Sequence, residues 1–246
     1  DKIIGGYIAQ YIKDGDCLQI GIGGIPNSVT AFLADKKDLG IHTELLGDGI
    51  VDLAQKGIIN GSKKQYLTGK ITTSIVLGTD KTYNFVNNNP NVYVMSCDKC
   101  NDAYTISKND NQVSINTSLE VDLTGQACSE SIGSRIFSGT GGQSDTTIGA
   151  QMSKGGRSFL ALYSTANVLN LETQKREEIS KIVPQLKLGA AVTLNRNDMM
   201  YLVTEYGVVN LRGLSIADRA KAIISIAHPK YRDWLTSEAK KLRLFR

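Results

Sequence analysis

The chain has 246 residues, of which 41% are hydrophobic and 21% are charged, and 28 Lys and Arg against 24 Asp and Glu give it a formal net charge of +4. This composition is typical of a globular protein, and so small a positive surplus does not indicate nucleic-acid binding. No run of apolar residues approaches the roughly 18–20 that a membrane-spanning helix requires. The chain opens Asp1-Lys2-Ile3-Ile4, without a methionine or a signal-peptide pattern. We therefore expect a fragment of a cytoplasmic protein that has no membrane partner.

Four cysteines occur in the chain: Cys17, Cys97, Cys100 and Cys128. So few cysteines in a chain of this length indicate reduced thiols rather than a disulfide framework. Cys97 and Cys100 form a CxxC motif, but no second CxxC and no closely spaced pair of histidines completes a zinc site. We interpret this pair as a turn at the end of a strand, and no metal site is predicted.

Apolar strands alternate along the chain with amphipathic and loop segments, which predicts an α/β fold. The first strand is predicted at Cys17–Ile22, with a turn at Gly23-Gly24 and a helix from Pro26 to about Ala34. Further strands are predicted at Ser74–Leu77, Asn91–Met95, Leu119–Leu123, Ser158–Leu162, Ala190–Leu194 and Met200–Val203. Several are nearly continuous apolar runs, as in strands of a mostly parallel sheet that is covered on both faces.

Two helices are predicted near the C terminus, at Ser215–Ala227 and Tyr231–Leu244, divided at His228-Pro229. No linker, repeat or low-complexity segment divides the chain, so we expect a single domain.

Glycines cluster at two predicted strand ends. The first cluster, Gly21 to Pro26 (GIGGIP), closes a strand and opens a helix, where backbone N–H groups can face an anion. The second, Ser138 to Asp145 (SGTGGQSD), can form a similar nest of N–H groups for an oxyanion or phosphate. Proline at position 26 departs from the dinucleotide fingerprint, neither cluster ends in Gly-Lys-Ser/Thr, and no GxSxG nucleophile elbow occurs.

Glu44 lies in the segment His42 to Gly49 (HTELLGDG), after a short apolar strand and before a glycine turn. A parallel α/β sheet gathers the carboxyl ends of its strands at one edge, where ligands bind. We therefore expect Glu44 beside the first glycine cluster, at Gly23 to Ile25.

These motifs together resemble those of class I coenzyme A transferases, in the branch of acetyl-CoA hydrolases and 4-hydroxybutyrate (butyryl) CoA-transferases. In that family a glycine-rich strand end precedes a catalytic glutamate, as Gly21 to Pro26 precedes Glu44 here. The likeness continues in order along nearly the whole chain, at 116–125 (NTSLEVDLTG), 139–145 (GTGGQSD), 154–158 (KGGRS), 182–184 (IVP), 203–207 (VTEYG), 211–213 (LRG) and 226–229 (IAHP).

The resemblance implies the C-terminal, catalytic domain, residues 1–246, of the NagB/RpiA/CoA-transferase-like type: a mostly parallel sheet flanked by helices. It makes Glu44 the nucleophile, which forms an acyl-glutamyl anhydride and then a glutamyl-CoA thioester. Oxyanion and CoA-binding N–H groups are assigned to Gly23, Gly24 and Ile25, and to Gly141 and Gly142. CoA enters as acyl-CoA substrate, and no tightly bound cofactor is implied.

Two further residues remain candidates for the site. Glu120, in a strand pattern within a family motif, is the rival nucleophile, and His42, two residues before Glu44, is a supporting residue on the same strand face. The family's N-terminal domain is missing from this sequence and is the expected partner. Acyl-CoA hydrolysis by the same glutamate, and a CoA-binding domain inactive without its partner domain, remain alternatives, and the acid pair and any homo-oligomer remain open.

Overall fold

The structure is a computed structural model that describes residues 1–169 and 173–245. Its chain divides into two compact units, each built from two separate segments. Unit 1 comprises residues 1–117 and 141–159, and unit 2 comprises residues 118–140 and 160–246. Because the chain passes between the units three times, no single linker separates them, which explains why the sequence showed none.

The first segment of unit 1 alternates helices and strands. Its elements are α1 (Lys2–Ala9), β1 (Cys17–Ile20), α2 (Gly24–Ala31), β2 (Gly40–His42), β3 (Leu45–Leu46), α3 (Asp48–Gln55), β4 (Ile71–Thr73), β5 (Ile75–Val76), α4 (Asp80–Val86), β6 (Val92–Val94), α5 (Cys97–Cys100), α6 (Ala103–Ser107) and β7 (Gln112–Thr117). The chain then enters unit 2 with β8 (Glu120–Asp122), β9 (Ala127–Cys128), β10 (Ser131–Ile132) and β11 (Arg135–Ile136).

The second segment of unit 1 adds α7 (Gln143–Met152) and the start of β12 (Arg157–Ala161), a strand that ends in unit 2. Unit 2 is completed by β13 (Thr165–Leu169), β14 (Arg176–Ser180), β15 (Ile182–Val183), β16 (Tyr201–Thr204), β17 (Gly207–Asn210), α8 (Ile216–Ser225) and α9 (Pro229–Lys241).

Unit 1 is built on five parallel strands in the order β6, β4, β2, β1, β7. Helix α1 packs on α2, and α2 and α7 both pack against β7. The predicted α/β class with a mostly parallel sheet flanked by helices is thus confirmed. Fully buried aliphatic side chains on β1 and β2, including Leu18 and Ile41, form the core.

Helix α2 begins two residues before the predicted start. Gly23 is its N-cap residue with φ 114°, a backbone conformation that favours glycine. Pro26 lies in the first turn, where a backbone N–H has no partner within the helix, so the proline is tolerated.

Strand β7 lies beside β1 but carries polar side chains on its buried positions. The Ser114 hydroxyl donates to Gln19 on β1 at 2.7 Å, and the Asn116 amide donates to the Thr146 hydroxyl on α7 at 3.1 Å. These hydrogen bonds offset the cost of removing the Ser114 and Asn116 side chains from water.

Unit 2 has its own apolar core, to which strands β8 and β16 and helices α8 and α9 contribute. Strand β8 pairs parallel with β15 and antiparallel with β9, while β16 and β17 form an antiparallel hairpin. The two predicted C-terminal helices are confirmed, with Ser215 and His228 as N-cap residues whose side chains accept backbone N–H groups.

The strand predicted at Ala190–Leu194 is wrong. Only Leu194 pairs there, in an isolated antiparallel bridge with Ala127, and the rest of the segment is irregular. Leu194 is 1% exposed whereas Val192 is 47% exposed. The apolar run therefore anchors a loop through one side chain instead of covering a strand face.

Candidate active site

Glu44 lies at a bend between β2 and β3 in unit 1, where its side chain is half-buried. The backbone N–H of Gly142 donates to its Oε2 at 3.0 Å, although the two residues are 98 positions apart. Gly142 is the N-cap residue of α7. The carboxylate therefore lies at the positive end of a helix dipole.

A side chain at position 142 would displace the groups around it. A Cβ added at this residue would lie 2.6 Å from Glu44 Oε2, and closer still to the Asn101 amide nitrogen. Both distances are shorter than real Cβ contacts allow. The close approach of the Gly142 backbone to the carboxylate thus depends on the missing side chain.

The Glu44 side chain lines an open cavity of about 530 Å³. The other lining residues come from α5, α6 and the turn between them, and from α7 and the loop before it: Cys97, Asp98, Asn101, Asp102, Ala103, Gly141 and Asp145. Among the structure's described residues, Asn101 is 7% exposed and its Oδ1 has no hydrogen-bond partner, while its Nδ2 donates to Cys97 Sγ at 3.4 Å. Sequence reasoning missed Asn101, because no motif marks an asparagine that follows a CxxC.

Negative charge accumulates around this cavity. The pKa of Asp145 is raised above its usual value by burial and then by the charges of Glu44 and Asp102. Glu44 therefore interacts electrostatically with Asp145 and accepts a hydrogen bond from the N–H of Gly142.

The first glycine cluster lines a different cavity of unit 1, of about 360 Å³. Gly21 and Gly23 line this cavity together with Leu45 and Gly47, which belong to the segment after Glu44. The Glu44 side chain is not among this cavity's lining residues and turns towards Gly142 instead.

The other two residues assigned as N–H donors, Gly24 and Ile25, form the first turn of α2. A Cβ added at Gly24 would lie 2.7 Å from the Asp1 carboxylate, so that carboxylate packs against the turn. Of the two assigned donor groups, only the one at Gly142 contacts the Glu44 carboxylate within the described part of the chain.

His42 lies in the core of unit 1. It is 1% exposed, and its Nε2 donates to the carbonyl of Cys100 at 2.8 Å. Burial lowers its pKa from 6.5 to about 4, so the ring is neutral at physiological pH. His42 is not among the residues lining the Glu44 cavity, because the bend at Glu44 interrupts the alternation on which their shared strand face depended.

Glu120 lies on β8 in unit 2 and is 8% exposed. Its Oε1 accepts the backbone N–H of Lys187 at 3.3 Å, and its Oε2 lies 3.7 Å from the Lys187 ammonium. Both carboxylate oxygens thus have a structural partner, which favours a role in holding the 187 loop.

Within residues 1–169 and 173–245, no three His, Cys, Asp or Glu side chains lie close enough together to bind a metal ion. Cys97 and Cys100 form a short helix instead of the predicted turn, with Cys97 exposed and Cys100 buried. No helix in the described ranges combines the length and apolar character that crossing a bilayer requires.

The fold and the held carboxylate define a mixed α/β domain with a glutamate beside a glycine-rich helix N-terminus. Residues 78–239 match the family model of the acetyl-CoA hydrolase/transferase C-terminal domain. The chain belongs to this family.

Individual relatives agree with the family match. The chain is 50% identical to succinyl-CoA:cyclohexane-1-carboxylate CoA transferase of Geobacter metallireducens and 49% identical to 4-hydroxybutyrate coenzyme A transferase of Clostridium kluyveri. Each match covers 98% of this chain and 54% of the relative, so the chain spans about half the length of these curated relatives. The crystal structure of RipA from Yersinia pestis superimposes with a TM-score of 0.90 at 42% identity, over 99% of this chain and 53% of that one.

Proposed function

We propose that this chain carries the nucleophile of a coenzyme A transferase that exchanges CoA between short-chain carboxylic acids such as acetate, butyrate and 4-hydroxybutyrate. The observation that carries the proposal is the Glu44 carboxylate, which borders an open cavity while one of its oxygens accepts the Gly142 N–H at 3.0 Å. The two relatives that are 50% and 49% identical to this chain are named CoA transferases, which supports the same reaction class.

In the first step, a carboxylate oxygen of Glu44 attacks the thioester carbonyl of acyl-CoA. The C–S bond breaks, CoA leaves as a thiolate, and Glu44 becomes a mixed anhydride with the acyl group. Because Oε2 is held by Gly142, Oε1 is the oxygen that is free to attack. The N-terminus of α7, the positive end of its helix dipole, lies at Gly142 beside this carboxylate.

In the second step, the CoA thiolate attacks the glutamyl carbonyl of the anhydride, and the first carboxylic acid leaves as its anion. The oxygen of that glutamyl carbonyl is Oε2, which already accepts the Gly142 N–H. Negative charge develops on this oxygen in the tetrahedral intermediate, so the N–H stabilises the transition state more than the ground state. We assign Gly142 to this step, and Gly24 and Ile25 remain the proposed donors to the acyl oxyanion of the first step.

A second carboxylate then reverses the sequence. It attacks the glutamyl-CoA thioester, which releases the CoA thiolate and forms a new mixed anhydride. The thiolate then attacks the carbonyl of the second acid in this anhydride, which gives the new acyl-CoA and frees the Glu44 carboxylate. Every intermediate is a carboxylic anhydride or a thioester, so no metal or redox cofactor takes part. We propose the N-terminal domain of the same protein as the partner that completes the acyl and CoA sites.

Hydrolysis of acyl-CoA would use the same glutamate, with water in place of the second acid. Which reaction dominates depends on how well water is excluded from the acyl-enzyme.

The proposal is tested by trapping the intermediate in the full-length protein. The protein is incubated with butyryl-CoA, quenched and digested, and the peptides containing Glu44 and Glu120 are weighed. We expect a CoA-sized adduct on the Glu44 peptide that is absent in Glu44→Gln and retained in Glu120→Gln. In a parallel sample that is neither quenched nor digested, addition of acetate should give acetyl-CoA.

Each alternative has its own result. Free CoA without acetyl-CoA would indicate a hydrolase, and an adduct confined to Glu120 would move the nucleophile. Turnover without any adduct would refute covalent catalysis by glutamate.

A further inference from the structure

The backbone around Glu44 departs from a regular strand. Strands β2 and β4 pair with Ile41 opposite Ile71, and β3 and β5 pair with Leu45 opposite Ile75, so the register is the same on both sides of the break. The backbone bends at Glu44, between β2 and β3, and at the facing residue Ser74, between β4 and β5. The bend is therefore a feature shared by two neighbouring strands.

The carbonyl of Glu44 is the acceptor at the centre of this bend. It accepts the backbone N–H groups of Ser74 at 3.1 Å and Ile75 at 2.8 Å. The Ser74 hydroxyl donates to it at 3.2 Å, and the Thr73 hydroxyl lies 3.1 Å from it and 3.0 Å from the carbonyl of Ile75. A regular parallel ladder supplies one N–H to each carbonyl, whereas this one has up to four donors.

The residue before Glu44 is fixed by separate contacts. The Thr43 carbonyl accepts the thiol of Cys100 at 3.3 Å, and the Thr43 hydroxyl accepts the N–H of Ile20 at 3.3 Å. Burial raises the pKa of Cys100 to about 12, so its thiol keeps the proton that it donates. The peptide groups on both sides of the Glu44 Cα thus have side-chain hydrogen bonds in addition to the strand ladder.

Hydroxyl groups at these positions are costly unless they are used. Thr73 is fully buried, and a valine of the same shape would avoid placing a hydroxyl in the core. Its hydroxyl and that of Ser74 converge on the peptide that carries the proposed nucleophile, and not on the cavity.

We propose that Ser74 and Thr73 are positioning residues, which fix the Glu44 peptide so that its carboxylate meets the Gly142 N–H; this inference rests on the function proposed above. The side chain of Glu44 is attached to the peptide that the two hydroxyls hold, so a rotation of that peptide moves the carboxylate. Neither hydroxyl contacts the reacting atoms.

The test compares five variants of the full-length protein. Ser74→Ala and Thr73→Val remove the hydroxyls, whereas Ser74→Thr and Thr73→Ser keep them. Ser153→Ala is the control, because Ser153 is also buried and its hydroxyl donates to the carbonyl of Asn109 at 2.6 Å, at the C-terminal end of α7, away from Gly142.

We expect kcat of Ser74→Ala and Thr73→Val to fall by about 10- to 100-fold with little change in KM, because a displacement near 1 Å costs about 100-fold in rate. The rate of CoA-adduct formation on the Glu44 peptide should fall in parallel. The two hydroxyl-retaining variants should recover most of the rate, and Ser153→Ala should lower the melting temperature without changing kcat.

The proposal is overturned if the alanine and valine variants keep the wild-type kcat. It is also overturned if their kcat falls no further than that of Ser153→Ala at equal loss of stability, since the hydroxyls would then act only on folding. Adduct formation in the wild-type protein tests the proposed function separately. If the wild type turns over without an adduct on Glu44, the proposed function fails first, and the positioning role fails with it.

Discussion

Replacement of Gly142 by alanine tests the geometry on which the site depends. The backbone of Gly142 has φ −94° and ψ 16°, which alanine also adopts, so the substitution introduces no backbone strain. The new Cβ would lie 2.6 Å from Glu44 Oε2. The carboxylate must therefore retreat by about 0.8 Å to reach ordinary contact distance.

A displacement of this size predicts a specific loss of rate. Misplacement by 1 Å costs about 100-fold, or about 2.7 kcal/mol of transition-state stabilisation, so we expect kcat of Gly142→Ala to fall by about that factor. Steady-state kinetics and a melting curve of the full-length protein provide the measurement. The matched control is Gly139→Ala in the same glycine cluster, whose added Cβ meets nothing within 4 Å, and it should leave both quantities unchanged.

Retention of full kcat in Gly142→Ala would refute the inference that the Gly142 N–H and the Glu44 carboxylate act at the observed distance. A loss of kcat in Gly139→Ala as large as in Gly142→Ala would refute it too, since the loop as a whole would then be responsible.

Two further predictions concern buried titratable side chains in unit 1. The free energy of unfolding should fall as the pH drops from 6.5 to about 4, because His42 gains a proton in the unfolded chain that the buried ring does not accept. Urea titrations of His42→Gln should show this pH dependence reduced by up to about 3 kcal/mol. An unaltered pH profile in His42→Gln would contradict the burial effect. Arg157→Met should cost about 3–5 kcal/mol, because it leaves the Asp16 carboxylate, 3% exposed, without its ion-pair partner. Adding Asp16→Asn should recover part of that loss, and equal stability of the single and double variants would count against the ion pair.

The strands with apolar patterns could be predicted from the sequence. The run at 17–22 became β1, and the glycine turn after it leads into α2 as expected. Strand β7, which pairs parallel with β1, was missed. Its buried residues Gln112, Ser114 and Asn116 are polar, and Ser114 and Asn116 hydrogen-bond with each other and with Gln19 on β1. Hydrophobic periodicity therefore does not reveal that these residues are buried.

The sequence predicted the residues of the candidate site that lie in family motifs, but not the residues that reach the site from other parts of the chain. The resemblance picked out Glu44 and the glycines at 141 and 142, and the structure brings Glu44 and Gly142 into contact. Asn101 and Ser74 could not be found in this way, because each reaches Glu44 or its surroundings only when segments far apart in the sequence fold together. His42 is the opposite case. Its spacing of two residues from Glu44 predicted that both side chains share a strand face, but the backbone bends at Glu44 and no local sequence pattern signals that bend.

The division of the chain bears on how the protein can be taken apart. Unit 1 is closed by a segment that begins at residue 141, after an excursion of the chain through residues 118–140. A cut at residue 117 would leave Glu44 on one fragment and Gly142, its hydrogen-bond donor, on the other. Split versions of the protein would then report on reassembly directly, since the carboxylate regains its partner only when the two fragments associate.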